Sequence, residues 1–202
     1  MTPAQGKLST YEAKRDFRKT GEPEGKIRKS GKSDLIFSVQ KHDASTLHYD
    51  LRLEWDGVLL SWAITRGPSI VPDEKRLAVR TEDHPVDYAG FEGIIPKDQY
   101  GGGTVMLWDR GTWQPDDDPD NSLENGKLDF TIRGERMKGN WSLIRMRKKD
   151  EEKGKREDWL LVKQRDRHAG RKRDRLVTAN PNSVKTGRSL KAIAKAQEKA
   201  KP

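Results

Sequence analysis

The sequence of 202 residues contains no cysteine. That absence removes disulfides, thiolate metal sites and cysteine nucleophiles together, and it fits a reducing compartment. Long apolar runs are missing too. No uninterrupted one exceeds four residues (Val105–Trp108 and Trp159–Val162), and even the richer Gly57–Ile64 falls far short of the ~20 residues a membrane-spanning helix needs. No basic start leads into an apolar segment, so a secretory signal is not expected. Hydrophobic residues make up only 32% and charged residues 36% of the chain, which predicts a folded core with polar ends in a soluble, cytoplasmic protein.

Charge is plentiful but unevenly placed. The net charge is +9, yet residues 34–164 hold twenty Lys/Arg against twenty-five Asp/Glu. The excess lies in residues 1–33, with nine against four, and in residues 165–202, with twelve against three. Basic ends attract a polyanion through counterion release. An acidic centre beneath them handles phosphates only with a cation or a local arginine cluster inside it, which directs attention to metal-ligating side chains.

Residues 1–33 mix Lys, Arg, Gly, Pro and Ser and read as a basic arm, mostly loop. Residues 34–164 read as one β domain. Leu47, Tyr49, Leu51, Leu53 and Trp55 alternate with His48, Asp50, Arg52 and Glu54, the period-2 pattern of a half-buried antiparallel strand. Asp56-Gly57 follows, a dipeptide suited to a two-residue hairpin turn, and Val58–Ile64 reads as the partner strand. Further strands are expected at Leu35–Gln40, Arg76–Thr81, Thr104–Asp109, Lys127–Ile132, Asn140–Met146 and Asp158–Gln164. An acidic loop is expected at Gln114–Asn121 and a solvated, charged hairpin loop at Lys148–Glu157. Gly101-Gly102-Gly103 lacks a following Lys-Ser/Thr and reads as a turn rather than a phosphate loop. Trp55, Trp62, Met106 and Met146 read as core. Many short strands with Gly/Pro punctuation and no strand–helix alternation predict an all-β fold with little helix, a barrel or a sandwich. Residues 165–202 read as a basic flexible tail or linker, with a short helix possible over Leu190–Lys199.

Histidine is scarce, at four, and three of the four fall within His42–His84. His48, Asp50 and Arg52 sit at i, i+2 and i+4 of one strand, so all three project from one side, ~6.5–7 Å apart at each step. His42, beyond Gln40 on the preceding strand, shares that parity. Two imidazoles and a carboxylate suit Mn, Fe, Ni or Zn rather than Ca. Arg52 supplies a planar fork for phosphate oxygens, and a cation beside it makes a phosphoester site. After the Arg76 strand, Glu82-Asp83-His84-Pro85 and Tyr88 place two more groups able to donate to phosphate or protonate a leaving group. The same residues admit other readings. The polar side of the strand can be plain solvent face, and His48-x-Asp50 with a distal His84 matches the two-His-one-carboxylate triad of barrel-fold iron oxygenases. A third reading is a non-catalytic barrel that grips nucleic acid through aromatics and basic tails.

The run of motifs resembles one family. Phe37-Ser38-Val39-Gln40-Lys41-His42-Asp43-Ala44-Ser45 and Leu47-His48-Tyr49-Asp50-Leu51-Arg52-Leu53-Glu54 look like the signature of the 3′-phosphoesterase domain of bacterial DNA ligase D. Ser61-Trp62-Ala63, Gly67-Pro68-Ser69, Glu82-Asp83-His84-Pro85, Asp87-Tyr88, Phe91-Glu92-Gly93, Tyr100-Gly101 and Trp108-Asp109-Arg110-Gly111 continue the match. Lys14-Arg15-Asp16-Phe17 with Glu22-Pro23 fits the N-terminal arm. The resemblance covers roughly residues 8–165.

What it implies is an enzyme of bacterial non-homologous end joining, built on a closed or nearly closed antiparallel β-barrel, that uses Mn²⁺ or another divalent transition metal. Such an enzyme trims a 3′ ribonucleotide as a phosphodiesterase and then removes the 3′-phosphate as a phosphomonoesterase, leaving a 3′-hydroxyl. Carried over by position, His42, His48 and Asp50 hold the metal, while Arg52, His84, Tyr88 and Asp16 take catalytic roles. Arg15, Gln40, Arg66, Arg76 and Glu82 bind phosphate or line the site. Arg66 stands where the family usually has lysine, and its guanidinium meets phosphate with different geometry. The implied partners are primer–template DNA ends, ligase and polymerase domains and Ku, in a nucleoid-associated, cytoplasmic setting.

Overall fold

A computed structural model describes residues 5–27, 35–146, 157–171 and 175–198. Ten strands are described: β1 (Ile36–Asp43), β2 (Leu47–Trp55), β3 (Val58–Ile64), β4 (Arg76–Arg80), β5 (His84–Pro85), β6 (Gly93–Ile95), β7 (Gly103–Pro115), β8 (Lys127–Gly134), β9 (Lys138–Arg145) and β10 (Asp158–Lys163). Four short helices accompany them: α1 (Ser9–Ala13), α2 (Pro119–Asn125), α3 (Leu176–Ala179) and α4 (Leu190–Glu198). Antiparallel pairing runs β1-β2-β3-β4-β10-β9-β8-β7, and a β1–β7 ladder closes the ring into an eight-stranded barrel. The expected all-β barrel is the fold. β5 and β6 lie off the ring, paired to β3 and β7. Among the described residues no helix is long and apolar enough to cross a membrane.

The β2–β3 hairpin turns through Asp56 and Gly57 at φ 44° and 81°, the two positive values a type I′ turn requires. In this register Leu51 faces Trp62 and Arg52 faces Ser61. Phe37, Val39, Tyr49, Leu51, Leu53, Trp62, Met106, Trp108, Trp141 and Trp159 fill the barrel, all buried. Trp55 packs against this core only in part, while Met146, expected inside, is 43% exposed at the end of its strand.

Three departures from the sequence reading have local causes. β7 runs on past Asp109, because the buried Asp109 carboxylate accepts the backbone N–H groups of Arg110, Arg136 and Met137 at 2.9, 3.0 and 2.7 Å. The polar residue therefore ends no strand. The expected acidic loop continues into α2, capped by Asp118 accepting from Asn121 N at 3.1 Å, with Pro119 in the first turn and left-handed Gly126 closing it. The C-terminal segment is the largest difference. Ile193 is 2% exposed in the core, with Leu176, Val177 and Leu190 packed against it. Trp108 Nε1 donates to Asn180 O at 2.8 Å, and Val184 N donates to Leu107 O at 2.9 Å. Much of the expected free tail is thus part of the barrel. The Lys148–Glu157 loop lies outside the described residues apart from Glu157, as does the Lys199 end of the last helix.

Candidate functional site

The face of β1–β3 turned away from the barrel core carries Ser38, Gln40 and His42, then Arg52, Asp50 and His48, then Ser61 and Ala63. A second apolar cluster covers part of it: Leu8 and Tyr11 from the N-terminal arm, Val58 and Leu59 from β3, and Tyr88 and Ala89. The polar side of β2 is therefore no solvent face. Between the arm, the 82–101 segment and the sheet lies a cleft of about 280 Å³.

Antiparallel pairing sets His42 directly opposite His48 and Asp50 opposite Gln40. His42, His48 and Asp50 bring one ligand atom each within 4.8 Å of one another. His42 Nδ1 lies 3.6 Å and His48 Nε2 3.5 Å from the Asp50 carboxylate. His48 Nδ1 lies 2.8 Å from Thr46 O, which only accepts, so Nδ1 carries the proton and Nε2 keeps its lone pair. His42 Nε2 is buried with no hydrogen-bond partner. An orphaned imidazole nitrogen, an oriented imidazole and a carboxylate are a donor set that fits a borderline divalent metal.

Burial acts most strongly on Asp50 and opposes its ionisation, but Arg52, His42 and His48 outweigh it and hold the carboxyl down at about 2. Asp50 is therefore ionised at neutral pH. Arg52, 3% exposed, donates to Gln40 Oε1 at 2.6 Å, Ser61 Oγ at 2.9 Å and Asp50 Oδ2 at 3.4 Å. These use three of its five N–H groups and leave one on each terminal nitrogen. Its guanidinium lies 4.7 Å from the Tyr88 ring centroid.

The arm delivers Arg15, which donates to Glu22 at 3.0 Å, Tyr11 O and Glu82 at 3.1 Å, with Nη2 3.3 Å from His84 Nε2. His84 Nδ1 lies 2.8 Å from Glu82 O. A carbonyl on one side and a guanidinium on the other define a neutral imidazole with its proton on Nδ1. Burial, then the charges of Arg52 and Arg15, push the His84 pKa well below its ordinary 6.5. Glu82 is held below the usual carboxylate range, because its own backbone N–H, Lys14 and Arg15 overcome the opposing effect of burial.

Of the expected site residues, the structure gathers His42, His48, Asp50, Arg52, Arg15, Glu82, His84 and Tyr88 around this cleft. Tyr88 contributes its ring, for its hydroxyl donates to Glu22 Oε1 at 2.9 Å. Gln40 lies behind the cleft and orients Arg52. Asp16 does not line the cleft and pairs with Arg18 and Lys19 on the arm. Arg66 is exposed in the turn after β3, and Arg76 donates to Glu74 at 2.6 Å, so neither lines the cleft. His84 is not grouped with His48 and Asp50 among the described residues; the second histidine of the two-His-one-carboxylate set is His42. Residues the sequence reading passed over include Ser61, which parity opposite Arg52 marks, and Arg80, whose Nη1 donates to Ser61 O at 3.0 Å. Glu22, which joins Arg15 to Tyr88, had a signal only in its pairing with Pro23.

A family model described as DNA Ligase D 3′-phosphoesterase domain matches residues 40–145. The chain is 51% identical over 191 residues to the multifunctional non-homologous end joining protein LigD of Pseudomonas aeruginosa, covering 93% of the chain and 22% of that protein. It is 41% identical over 181 residues to the protein of that name from Mycolicibacterium smegmatis, covering 85% and 22%. With the multifunctional non-homologous end joining DNA repair protein LigD of Mycobacterium tuberculosis it shares 41% over 149 residues, covering 71% and 19%. The chain spans about a fifth of the length of these curated relatives.

Proposed function

The chain belongs to the DNA ligase D 3′-phosphoesterase domain family, and from that premise we propose that it is a manganese-dependent hydrolase that heals DNA 3′ ends. In this reading it removes a 3′-terminal ribonucleotide as a phosphodiesterase and a 3′-phosphate as a phosphomonoesterase. The 3′-hydroxyl product serves the ligase and polymerase steps of end joining. The observation that carries the reading is the convergence of His42, His48 and Asp50 within 4.8 Å beside the buried Arg52.

His42, His48 and Asp50 would hold the metal, which supplies Lewis acidity toward a phosphoryl oxygen. Arg52 turns its two remaining N–H groups onto the phosphate and balances the charge that develops there. It costs no reorganisation, because Gln40, Ser61 and Asp50 already fix its plane. Arg15 adds its remaining Nη2 hydrogen from the arm. His84 starts neutral, with an Nε2 lone pair facing Arg15, so it first accepts the proton that the attacking water gives up as its oxygen bonds to phosphorus. It then returns that proton to the departing oxygen. The exposed Arg66 and the basic segments at either end meet the duplex outside the cleft.

The test uses a 5′-labelled primer on a longer template, ending in one ribonucleotide or in a 3′-phosphate. Metal-stripped protein is assayed with and without Mn²⁺, beside His48→Ala. The reading expects manganese-dependent shortening and 3′-hydroxyl ends from the wild type alone. Intact primers with a wild-type protein that binds both metal and duplex would refute it.

A further inference from the structure

Large apolar side chains exposed singly are common on protein surfaces, so it is their position that gives them a use. Among the described residues three are exposed: Leu47, Tyr100 and Met146. Leu47 and Tyr100 belong to the two segments that rim the metal cleft. The turn before β7 packs hard on the tip of β1, for a Cβ on Gly103 would stand 2.2 Å from Asp43 O. Gly101, in the left-handed region at φ 72°, reverses the chain immediately after Tyr100. Tyr100 therefore stands at the mouth of the cleft on a braced turn, and it lines that cleft together with His42, His48 and Arg15.

The ring is held in place yet remains open. Lys14 Nζ donates to the Tyr100 hydroxyl at 3.1 Å and lies 4.6 Å from the ring centroid, and the Arg15 guanidinium lies 5.5 Å away. The residue is still 49% exposed. Lys14 also pairs with Glu82 at 3.1 Å, which ties the ring to the wall of the site. A braced, half-exposed aromatic ring with two cations beside it, lining the same cleft as the candidate metal ligands and Arg52, matches the needs of a nucleotide. Its base stacks on the ring while its phosphate enters the cleft. None of the site chemistry described above uses Tyr100.

We propose that Tyr100 is the stacking platform for the nucleobase of the 3′-terminal nucleotide. The assignment rests on the phosphoesterase reading for the identity of the ligand, and it makes binding depend on the base itself as well as on phosphate and sugar. Because every base has a π face, the platform tolerates any of the four.

The test measures binding and turnover separately on the full chain. Primer–templates ending in a ribonucleotide with its base, or in the matching abasic ribose, are titrated by fluorescence anisotropy without metal. Wild-type protein is expected to bind the base-bearing end about tenfold more tightly than the abasic one. Tyr100→Ala and Tyr100→Leu are expected to lose that ratio by weakening the base-bearing complex alone. Tyr100→Phe and Tyr100→Trp keep it, which separates stacking from the Lys14 hydrogen bond. With Mn²⁺ the same loss appears in KM and not in kcat. An unchanged ratio in both non-aromatic variants, or no preference in the wild type, overturns the assignment. Failure of the wild type to cleave either primer would count instead against the phosphoesterase reading, since the binding ratio reports on Tyr100 without turnover.

Discussion

Gln40 Oε1 accepts the Nε hydrogen of Arg52 at 2.6 Å, while the same amide donates to the carbonyl oxygens of Tyr88 and Phe91 at 3.0 and 2.8 Å. One buried side chain thereby joins the segment that covers the site to the guanidinium that meets phosphate. Both partners of its NH₂ group only accept and Arg52 only donates, so the amide has one orientation. Gln40→Met keeps the volume but strands a buried guanidinium N–H and two carbonyls. It should lower stability by about 3 kcal/mol and kcat by about tenfold or more, with Mn²⁺ affinity unchanged. Urea unfolding, calorimetric metal titration and the primer assay read the three effects.

His84 gives a pH signature. Its folded pKa lies well below 6.5, through burial and then the charges of Arg52 and Arg15, whereas in the unfolded chain it takes up a proton near 6.5. Its contribution to stability is therefore complete above 6.5 and is lost as pH falls from there toward the folded pKa. The loss amounts to about 1.4 kcal/mol per pH unit for one proton. His84→Gln should flatten the stability curve by that slope between pH 6 and 5. Parallel curves for the two proteins would contradict the assignment.

Lys163 tests the far side of the barrel. Its side chain is 0% exposed, and its ammonium reaches Asp166 at 2.6 Å and the carbonyls of Asn140 and Gln164 at 3.0 and 3.2 Å. Asp166→Ala leaves that charge buried with two carbonyls and the Trp141 ring, 5.5 Å from its centroid, but no counter-charge. The expected cost is about 3 kcal/mol, read by thermal or urea unfolding. The double change Lys163→Met with Asp166→Ala should recover part of it.

The C-terminal segment makes opposite predictions according to whether it is a tail or a plug. With Ile193 at 2% exposure in the core, Ile193→Ala should cost about 3 kcal/mol. Truncation before Arg175 should expose apolar surface and bind a hydrophobic dye. A truncated protein that keeps its stability and loses only the salt dependence of DNA binding would restore the tail reading.

That contrast marks where the sequence was legible. The all-β class and the shared face of His42, His48 and Asp50 follow from period-2 alternation, which fixes side-chain parity without any knowledge of the third dimension, whereas the choice of a barrel over a sandwich came from the family resemblance. Ser61 was equally accessible, because the Asp56-Gly57 turn dictates that it faces Arg52. Three things were not. The arm's placement depends on Leu8 and Tyr11 finding the outer face of β3, a contact with no sequence period. Ile193 and Leu190 sit in a basic stretch poor in large apolar residues, whose composition resembles a free tail, and only packing distinguishes the two. Arg66 and Arg76, given roles by resemblance, fall outside the cleft because cleft membership depends on how the barrel curves. Asp118-Pro119 with Gly126, by contrast, carried a helix signal of its own.

The central claim is that one divalent ion, held by His42, His48 and Asp50, is required for cleavage next to Arg52. The direct test is to titrate Mn²⁺ into chelator-stripped protein, counting bound ions by electron paramagnetic resonance while following release of phosphate from a 3′-phosphate primer. The account predicts that the rate rises with bound Mn²⁺ and saturates at one ion per chain. It also predicts that Asp50→Asn and His48→Ala lose both the ion and the rate, and that Arg52→Ala keeps the ion and loses the rate. Full phosphate release from chelated wild-type protein, or from Asp50→Asn with no bound ion, would contradict it.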